Sequence, residues 1–572
     1  MNLTFVLASV ILAFLSWTFF SVISTYNTAR KIALPVIISP VSPLNPLWIL
    51  TYRTFPFVLL LKHLPFGLGK WARCTYMGWT FHDKHALHDE LGPVFIVVTP
   101  SGNEVSVADP QATHTILSRR KEFIKPAVMY EQLNVFGRNL NTVEGEDWQR
   151  QRRLTAPNFN ERTSSLVWKE ALRQAHDMAQ FWAEQGAEGT RETVADTATL
   201  ALHVLTCVGF GLSYSFHHGV RDLSDGHSMT YRDALSLCLR NIITFAIFPK
   251  KVLTLSFLPK RLRSLGVATQ EFQKYMEEML THERNMAAKR EHGTGNLMGS
   301  LVRASEEAQK SSDINDSTRL GLTDEEIFGN IFAFNLAGHE TTANTMATSL
   351  VLLAANPECQ AWLIEEVHHV LGNSGGSGGW KYEESFPNLK RCLAVMYETL
   401  RLYGSIVFIP KSTGFHSQSL ALGDKTYILP SSTAININVQ ALHTDPQTWG
   451  SDALDWRPSR WLRASSSTFS SHGNHTLPMA EETFIEPEAG TFIPWADGPR
   501  ECVGRKFSQV EFVAVLASLF RQYRVRPVVK NGEGEADAKR ALVRMVDDSA
   551  ISAITLQMLE PRSRSLRWER QN

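Results

Sequence analysis

Residues 492–507, FIPWADGPRECVGRKF, hold a single thiol, Cys502, in a loop crowded with turn formers and positive charge. Gly498 and Pro499 favour a tight turn and Gly504 permits close backbone approach. The next stretch, RKFSQVEFVAVLASLF, has the pattern of a helix, which puts Cys502 just ahead of a helix N-terminus with Arg500 and Arg505 beside it. That setting is expected to favour thiolate over thiol. A thiolate there can serve as a nucleophile or as a metal ligand, whereas a structural cysteine belongs on an apolar helix face. The fold must therefore present a rigid, basic loop and a helix end to one functional centre.

The remaining cysteines, Cys74, Cys207, Cys238, Cys359 and Cys392, are scattered and form no CxxC pair. A disulfide framework or zinc site is not expected, and a reducing compartment is the simpler reading. The sequons at Asn2, Asn315 and Asn474 are read accordingly as chance matches. Lys+Arg and Asp+Glu both total 57, so charge offers nothing for nucleic acid. Residues 3–24, LTFVLASVILAFLSWTFFSVIS, are uncharged and long enough to span a bilayer. The first charges, Arg30 and Lys31, follow that run. Positive charge after the span, with none ahead of it, predicts a retained single-pass anchor with the body of the chain in the cytosol, not a cleaved signal.

The expected organisation is an N-terminal membrane anchor at 1–30, a proline-rich linker at 31–46 (PVIISPVSPLNP from residue 35) and one domain at 47–572. A length of 572 residues would allow several domains, but no stretch after residue 46 reads as an inter-domain linker. The apolar run from residue 47 to 61 is interrupted by Arg53 and Pro56 and suits a buried or interfacial segment better than a second span. Residues 92–110 predict a β-hairpin turning at Ser101-Gly102-Asn103. Helical patterns dominate from about 109 to 370, with a polar loop at 291–322 and a flexible connector at 373–379. A second β-rich patch is expected near 405–440.

Three further constellations carry chemistry. YETLR places Glu398 and Arg401 on one helix face, and WRPSRW supplies Arg460. EDWQRQRRL places Trp148 and Arg152 four apart on another helix face. FNLAGHETTANT, residues 334–345, lies in an apolar helical run opened by Thr323, whose N-cap position and Glu326 three residues on spell a capping box. Gly338 in such a helix costs about 1 kcal/mol against Ala, and Glu340-Thr341-Thr342 invites local hydrogen bonds that loosen it. Taken singly, these are a common surface pair, a basic face and a solvated polar patch.

Taken together and in this order, they resemble the cytochrome P-450 superfamily of haem-thiolate monooxygenases, over roughly residues 40–560. The loop matches that family's pattern at Trp495, Gly498, Arg500, Cys502 and Gly504, with Trp where Phe is more usual. The resemblance implies a mainly α fold with small β-sheets, the cytochrome P-450 fold, as a single large catalytic domain with an N-terminal transmembrane helix. It implies haem b with Cys502 as the axial iron ligand, since thiolate donation favours O–O cleavage. Trp148, Arg152 and Arg500 are implied to contact the haem propionates. Glu398, Arg401 and Arg460 are implied to form a buried ion network, although Ser459 stands where the family usually has Glu. Gly338 is implied to leave a groove for dioxygen, Glu340 and Thr341 to relay protons, and His339 to take no part in catalysis.

The same resemblance implies partners: O2, membrane lipid, a hydrophobic small-molecule substrate and an NADPH-dependent P-450 reductase, for whose docking Arg150 and Arg153 are candidates. Expected pocket walls lie at 124–140, at 240–260, around Phe334, at 405–411 and near Ala550-Ile551. The chain resembles microsomal members from filamentous fungi, which implies the endoplasmic reticulum membrane and a role in secondary-metabolite biosynthesis. The alternatives are a fatty-acid or xenobiotic hydroxylase, a haem-thiolate isomerase or dehydratase, and a non-catalytic haem sensor.

Overall fold

The computed structural model describes all residues except 1–2, 44, 46–47, 50, 53–59, 66, 68, 217–225, 289–295, 311–319, 373–378, 464–481, 553 and 572. The three sequons, the glycine-rich connector and much of the 47–61 stretch lie outside that set. The chain is mainly helical, at 59%. The helices that bear on the site and on the main sheet are α1 (Leu3–Ala29), α2 (Gly145–Thr155), α3 (Glu161–Glu184), α4 (Thr193–Phe210), α5 (Asp324–Ala355), α6 (Lys390–Tyr403) and α7 (Arg505–Gln522).

Helix α5 runs for 32 residues and starts where the sequence says it must. Thr323 Oγ1 accepts the Glu326 N–H and the Glu326 carboxylate accepts the Thr323 N–H, both at 3.0 Å. The reciprocal cap satisfies two of the amides a helix start leaves unpaired. Helix α7 is apolar almost all round, from Val510 through Phe520, and is buried accordingly. It packs against α3 and α6, sharing a core with Trp168, Met346, Leu350 and Val395. A helix clamped on every side holds the loop at its N-terminus in a fixed place.

The main sheet has five strands, in the order β1 (Val36–Ile38), β2 (Val94–Thr99), β3 (Gly102–Val107), β5 (Ala434–Asn438) and β4 (Phe408–Ser412). All six residues of β2 are buried, as suits a strand covered on both faces. Thr99 pairs with Gly102, so the hairpin turns at Pro100-Ser101, one residue earlier than predicted. Asn103 belongs to the ladder instead, and its side chain donates to Thr25 O at 3.0 Å. A last hairpin, β6 (Ser549–Ser552) and β7 (Thr555–Met558), lies near the C-terminus.

The stretch expected as a linker at 31–46 is instead an edge of the domain. Ile32 and Leu34 are buried in the sheet's core, and Val36, Ile37 and Ile38 pair in parallel with Ile96, Val97 and Val98. The apolar VII segment covers an edge of β2 that would otherwise expose unpaired backbone groups. Among its described residues helix α1 docks at its C-terminal end, where Ala29 is buried and Thr25 Oγ1 donates to Thr99 O at 3.0 Å. Farther out, Phe5, Leu12, Leu15, Trp17, Phe19 and Phe20 are exposed. Among the described residues, the helix that meets a length-and-hydropathy criterion for a span is α4, and its 61% burial makes it a core helix.

Candidate active site

The Cys502 loop is built by its own backbone. Gly498 has φ of 69°, and a Cβ there would come within 2.9 Å of Leu117 O, so only glycine fits. The Cys502 N–H donates to Trp495 O at 2.9 Å, and α7 begins three residues on, with Gly504 as its N-cap. Of the six cysteines Cys502 alone is exposed. Cys74, Cys238 and Cys392 are buried, and burial pushes their thiols up, that of Cys238 to about 12.

The expected electrostatic activation of Cys502 is corrected by the geometry. Arg500 Nη2 donates to Val143 O at 3.0 Å and to the Glu144 carboxylate, and Arg505 lies over the Trp495 ring at 5.4 Å. Neither guanidinium is spent on the sulfur. Although the residue is exposed, crowding around its sulfur holds the Cys502 thiol above its ordinary value, against the Gly504 N–H and Arg152. The loop presents a thiol that a bound cation would deprotonate.

Beside it stands a concentration of cations. Arg500 stacks over the Trp148 ring at 4.7 Å and Arg120 lies 4.4 Å from the same ring. Arg152 Nη1 donates to Glu501 O at 2.8 Å. Lys411 and Lys125, missed as charge partners in the sequence, complete the group. Burial and Arg500 push Lys411 down to about 8, and burial with Arg500 and Lys411 holds Lys125 well below its usual range. Glu144 is the shared counter-charge. The Arg500 side chain is 7% exposed, yet its Nε and Nη1 have no partner. Buried donors left this way are costly, and a ligand bearing carboxylates fits them. Arg150, a candidate for a docking surface, is instead committed to Glu326, at 2.6 and 2.9 Å. Arg153 remains exposed on α2.

Glu398, Arg401 and Arg460 come together as the sequence order suggested. Glu398 and Arg401 side chains are fully buried. Glu398 accepts from Arg401 Nη2 and Nε and from Arg460 Nε, each at 2.9 Å, from the Arg457 N–H at 2.8 Å and from Trp461 Nε1 at 3.0 Å. Arg401 also donates to His443 O at 2.8 Å and to Asp455 O at 3.1 Å. Every arm of the network is satisfied, the condition under which buried charge is tolerable.

Mid-way along α5, Ala337 is exposed although the helix is buried to either side, so open space faces the helix there. Thr341 Oγ1 donates to Ala337 O at 2.6 Å. Burial pushes the Glu340 carboxyl up, against the Thr555 hydroxyl and Arg240, which pull it down. Gly338 does not play the part implied for it alone: a Cβ there would meet Leu205 of α4 at 3.1 Å, so this glycine lets two helices approach. His339 is buried and pushed down to about 4, hence neutral at pH 7. Of the expected walls, Val407 and Ile551 join Phe81 and Leu556 in one apolar cluster. The Phe136 and Phe332 rings meet tilted at 4.8 Å, and Phe334 lies 5.4 Å from Phe159.

A thiol at the head of a rigid helix, a basic cluster short of negative charge and an opened acid-alcohol helix define the class of a haem-thiolate enzyme. The Cytochrome P450 family model matches residues 62–547, and the chain belongs to that family. The cytochrome P450 monooxygenase prx9 of Penicillium rubens is 30% identical over 86% of this chain and 85% of that protein. The phomenoic acid biosynthesis cluster cytochrome P450 monooxygenase of Leptosphaeria maculans is 30% identical over 95% of each. A crystal structure of a cytochrome P450 (CYP102L1) superposes with a TM-score of 0.62 over 85% of this chain and 97% of the other, at 17% identity, and so speaks for the fold. The enzyme is a monooxygenase, and its cofactor is haem with cysteine-ligated iron.

Proposed function

We propose that this enzyme oxidises an apolar small molecule in fungal-type secondary metabolism, with Cys502 as the iron ligand and electrons from an NADPH-dependent reductase. The observation that carries the reading is the exposed Cys502 at the start of α7 beside Arg500, whose two buried donors lack partners. Haem held there supplies dioxygen activation and transfer of one oxygen atom to a C–H bond. Arg500, Arg152, Trp148, Lys125 and Lys411 would hold its carboxylates. Phe334, Val407 and Ile551 would exclude water and orient the substrate by apolar contact. Glu340 takes up a proton from solvent and Thr341 holds the next at its hydroxyl, so that oxygen reduction does not stop at released peroxide.

The relative from Leptosphaeria maculans belongs, by its name, to a biosynthesis cluster, which supports a tailoring role over a fatty-acid or xenobiotic one. An isomerase or dehydratase needs no proton-relay pair, and Glu340 and Thr341 favour the oxygenase. The deciding experiment is growth under heavy dioxygen with and without the gene. A gene-dependent product carrying the label supports the reading, and one without it favours the isomerase class. Thr341→Val should keep the haem spectrum and raise peroxide released per NADPH by about tenfold; an unchanged ratio would remove Thr341 from the relay.

The exposed face of α1 supports a membrane anchor of the endoplasmic reticulum type, with the catalytic domain on the cytosolic side. Because Thr25, Ala29, Ile32 and Leu34 belong to the folded domain, a cut must spare them. Deleting residues 2–20 should move the protein from the membrane pellet toward the soluble fraction with an unchanged melting temperature. Deleting 2–36 should also lower that temperature, and equal melting of the two truncations would refute the docking of this segment.

A further inference from the structure

The C-terminal hairpin reaches α5 and the turn after α6 at several points. Ser552 pairs with Thr555 and Ser549 with Met558, so Thr555 and Gln557 share one face of β7 and Leu556 takes the other. Thr555 Oγ1 donates to Glu340 Oε2 at 3.1 Å, and Gln557 Nε2 reaches the same oxygen at 3.4 Å. Gln557 Nε2 also donates to Thr555 Oγ1 at 3.1 Å, tying the two donors together. The Leu556 N–H donates to Ser405 O at 2.9 Å, and Ser405 Oγ donates to Thr341 O at 3.2 Å. Asn344 Nδ2, one turn on from Glu340, donates to Leu556 O at 3.3 Å. A three-residue strand segment thus holds the acid directly and, through one serine, the backbone carbonyl of Thr341.

We propose that Thr555 and Gln557 are positioning residues for Glu340, pinning Oε2 to the hairpin and leaving Oε1 to exchange its proton. The inference rests on the reading of Glu340 as proton carrier. Both contacts fall on Oε2, and Thr555 is 5% exposed, so water cannot easily replace its hydroxyl. The charged neighbour acting on Glu340 is Arg240, and His339 beside it is neutral. A hydroxyl donating to the carboxylate favours the charged form. Removing it raises the pKa of Glu340, and the acid then stays protonated to higher pH. The same hairpin carries Ile551 into the apolar cluster with Val407, so a substrate pressing on that cluster bears on the strand pair that sets the acid.

The test is an infrared pH titration of the Glu340 carboxyl band in the full-length ferric haem protein in detergent, identified by its loss in Glu340→Gln. Thr555→Val and Gln557→Leu should each move the midpoint to higher pH, while Thr555→Ser, which keeps the hydroxyl, should leave it in place. In parallel, peroxide released per NADPH, with reductase and no added substrate, should rise about fivefold in Thr555→Val, the worth of one ordinary hydrogen bond. A midpoint unmoved in Thr555→Val, with peroxide raised in Glu340→Gln, overturns the positioning role alone. A shifted midpoint with peroxide unchanged in Glu340→Gln supports the positioning role and overturns the reading of Glu340 as carrier.

Discussion

Cys502→Ala should fold normally and lose the thiolate-type carbonyl spectrum completely, with oxygenase activity down by more than about 100-fold, beyond the roughly 10–100-fold that removal of an outer-shell partner of a metal costs. Folding should survive because Cys502 is exposed and its tie to the loop, the N–H to Trp495 O at 2.9 Å, is backbone. Helix α7 keeps its burial between α3 and α6 without the sulfur. Far-ultraviolet circular dichroism and the carbonyl difference spectrum separate the two effects. An unchanged carbonyl spectrum would move the ligand to another cysteine, and Cys74, Cys238 or Cys392 would each have to leave a buried setting to serve.

Glu398→Ala should instead prevent accumulation of folded protein. The carboxylate accepts from Arg401, Arg460, Trp461 and the Arg457 N–H. Its loss leaves the buried Arg401 guanidinium without its ion-pair partner. Breaking one side of a buried pair costs about 3–5 kcal/mol, set against a typical net stability of about 5–15 kcal/mol. Glu398→Gln keeps the shape and two lone pairs and should lose less. Haem-protein yield and the denaturant midpoint are the measurements, and a midpoint within error of wild type for Glu398→Ala would show that the network contributes nothing.

Such effects are legible to different degrees in the chain. Features carried by neighbours in sequence can be read from residue order alone: the Thr323–Glu326 cap, the Cys502 loop ahead of α7, the i,i+3 pairing of Glu398 with Arg401, and the helical middle of the chain. Each depends on spacing along one element, which the 3.6-residue period or a turn's geometry fixes locally. The strand at Val36–Ile38 is hidden by its prolines, because three apolar residues become a strand only when an open edge of β2 is there to take them. The Arg500 and Arg505 side chains can be counted in the sequence, but their partners, Glu144 and Tyr397, cannot be named from it.

Sequence by itself therefore determined the turn-rich Cys502 loop ahead of α7, the order of the motifs and the mainly helical class. Tertiary structure alone decided where the charges go. Lys125, Glu144, Lys411 and Arg500 meet from segments far apart in the chain, and Thr555 and Gln557 reach Glu340 across more than two hundred residues. The physical reason is that spacing encodes only what one element can present on one face. Which charge is buried, paired or left waiting for a ligand is settled when faces from distant elements close over it and water is removed.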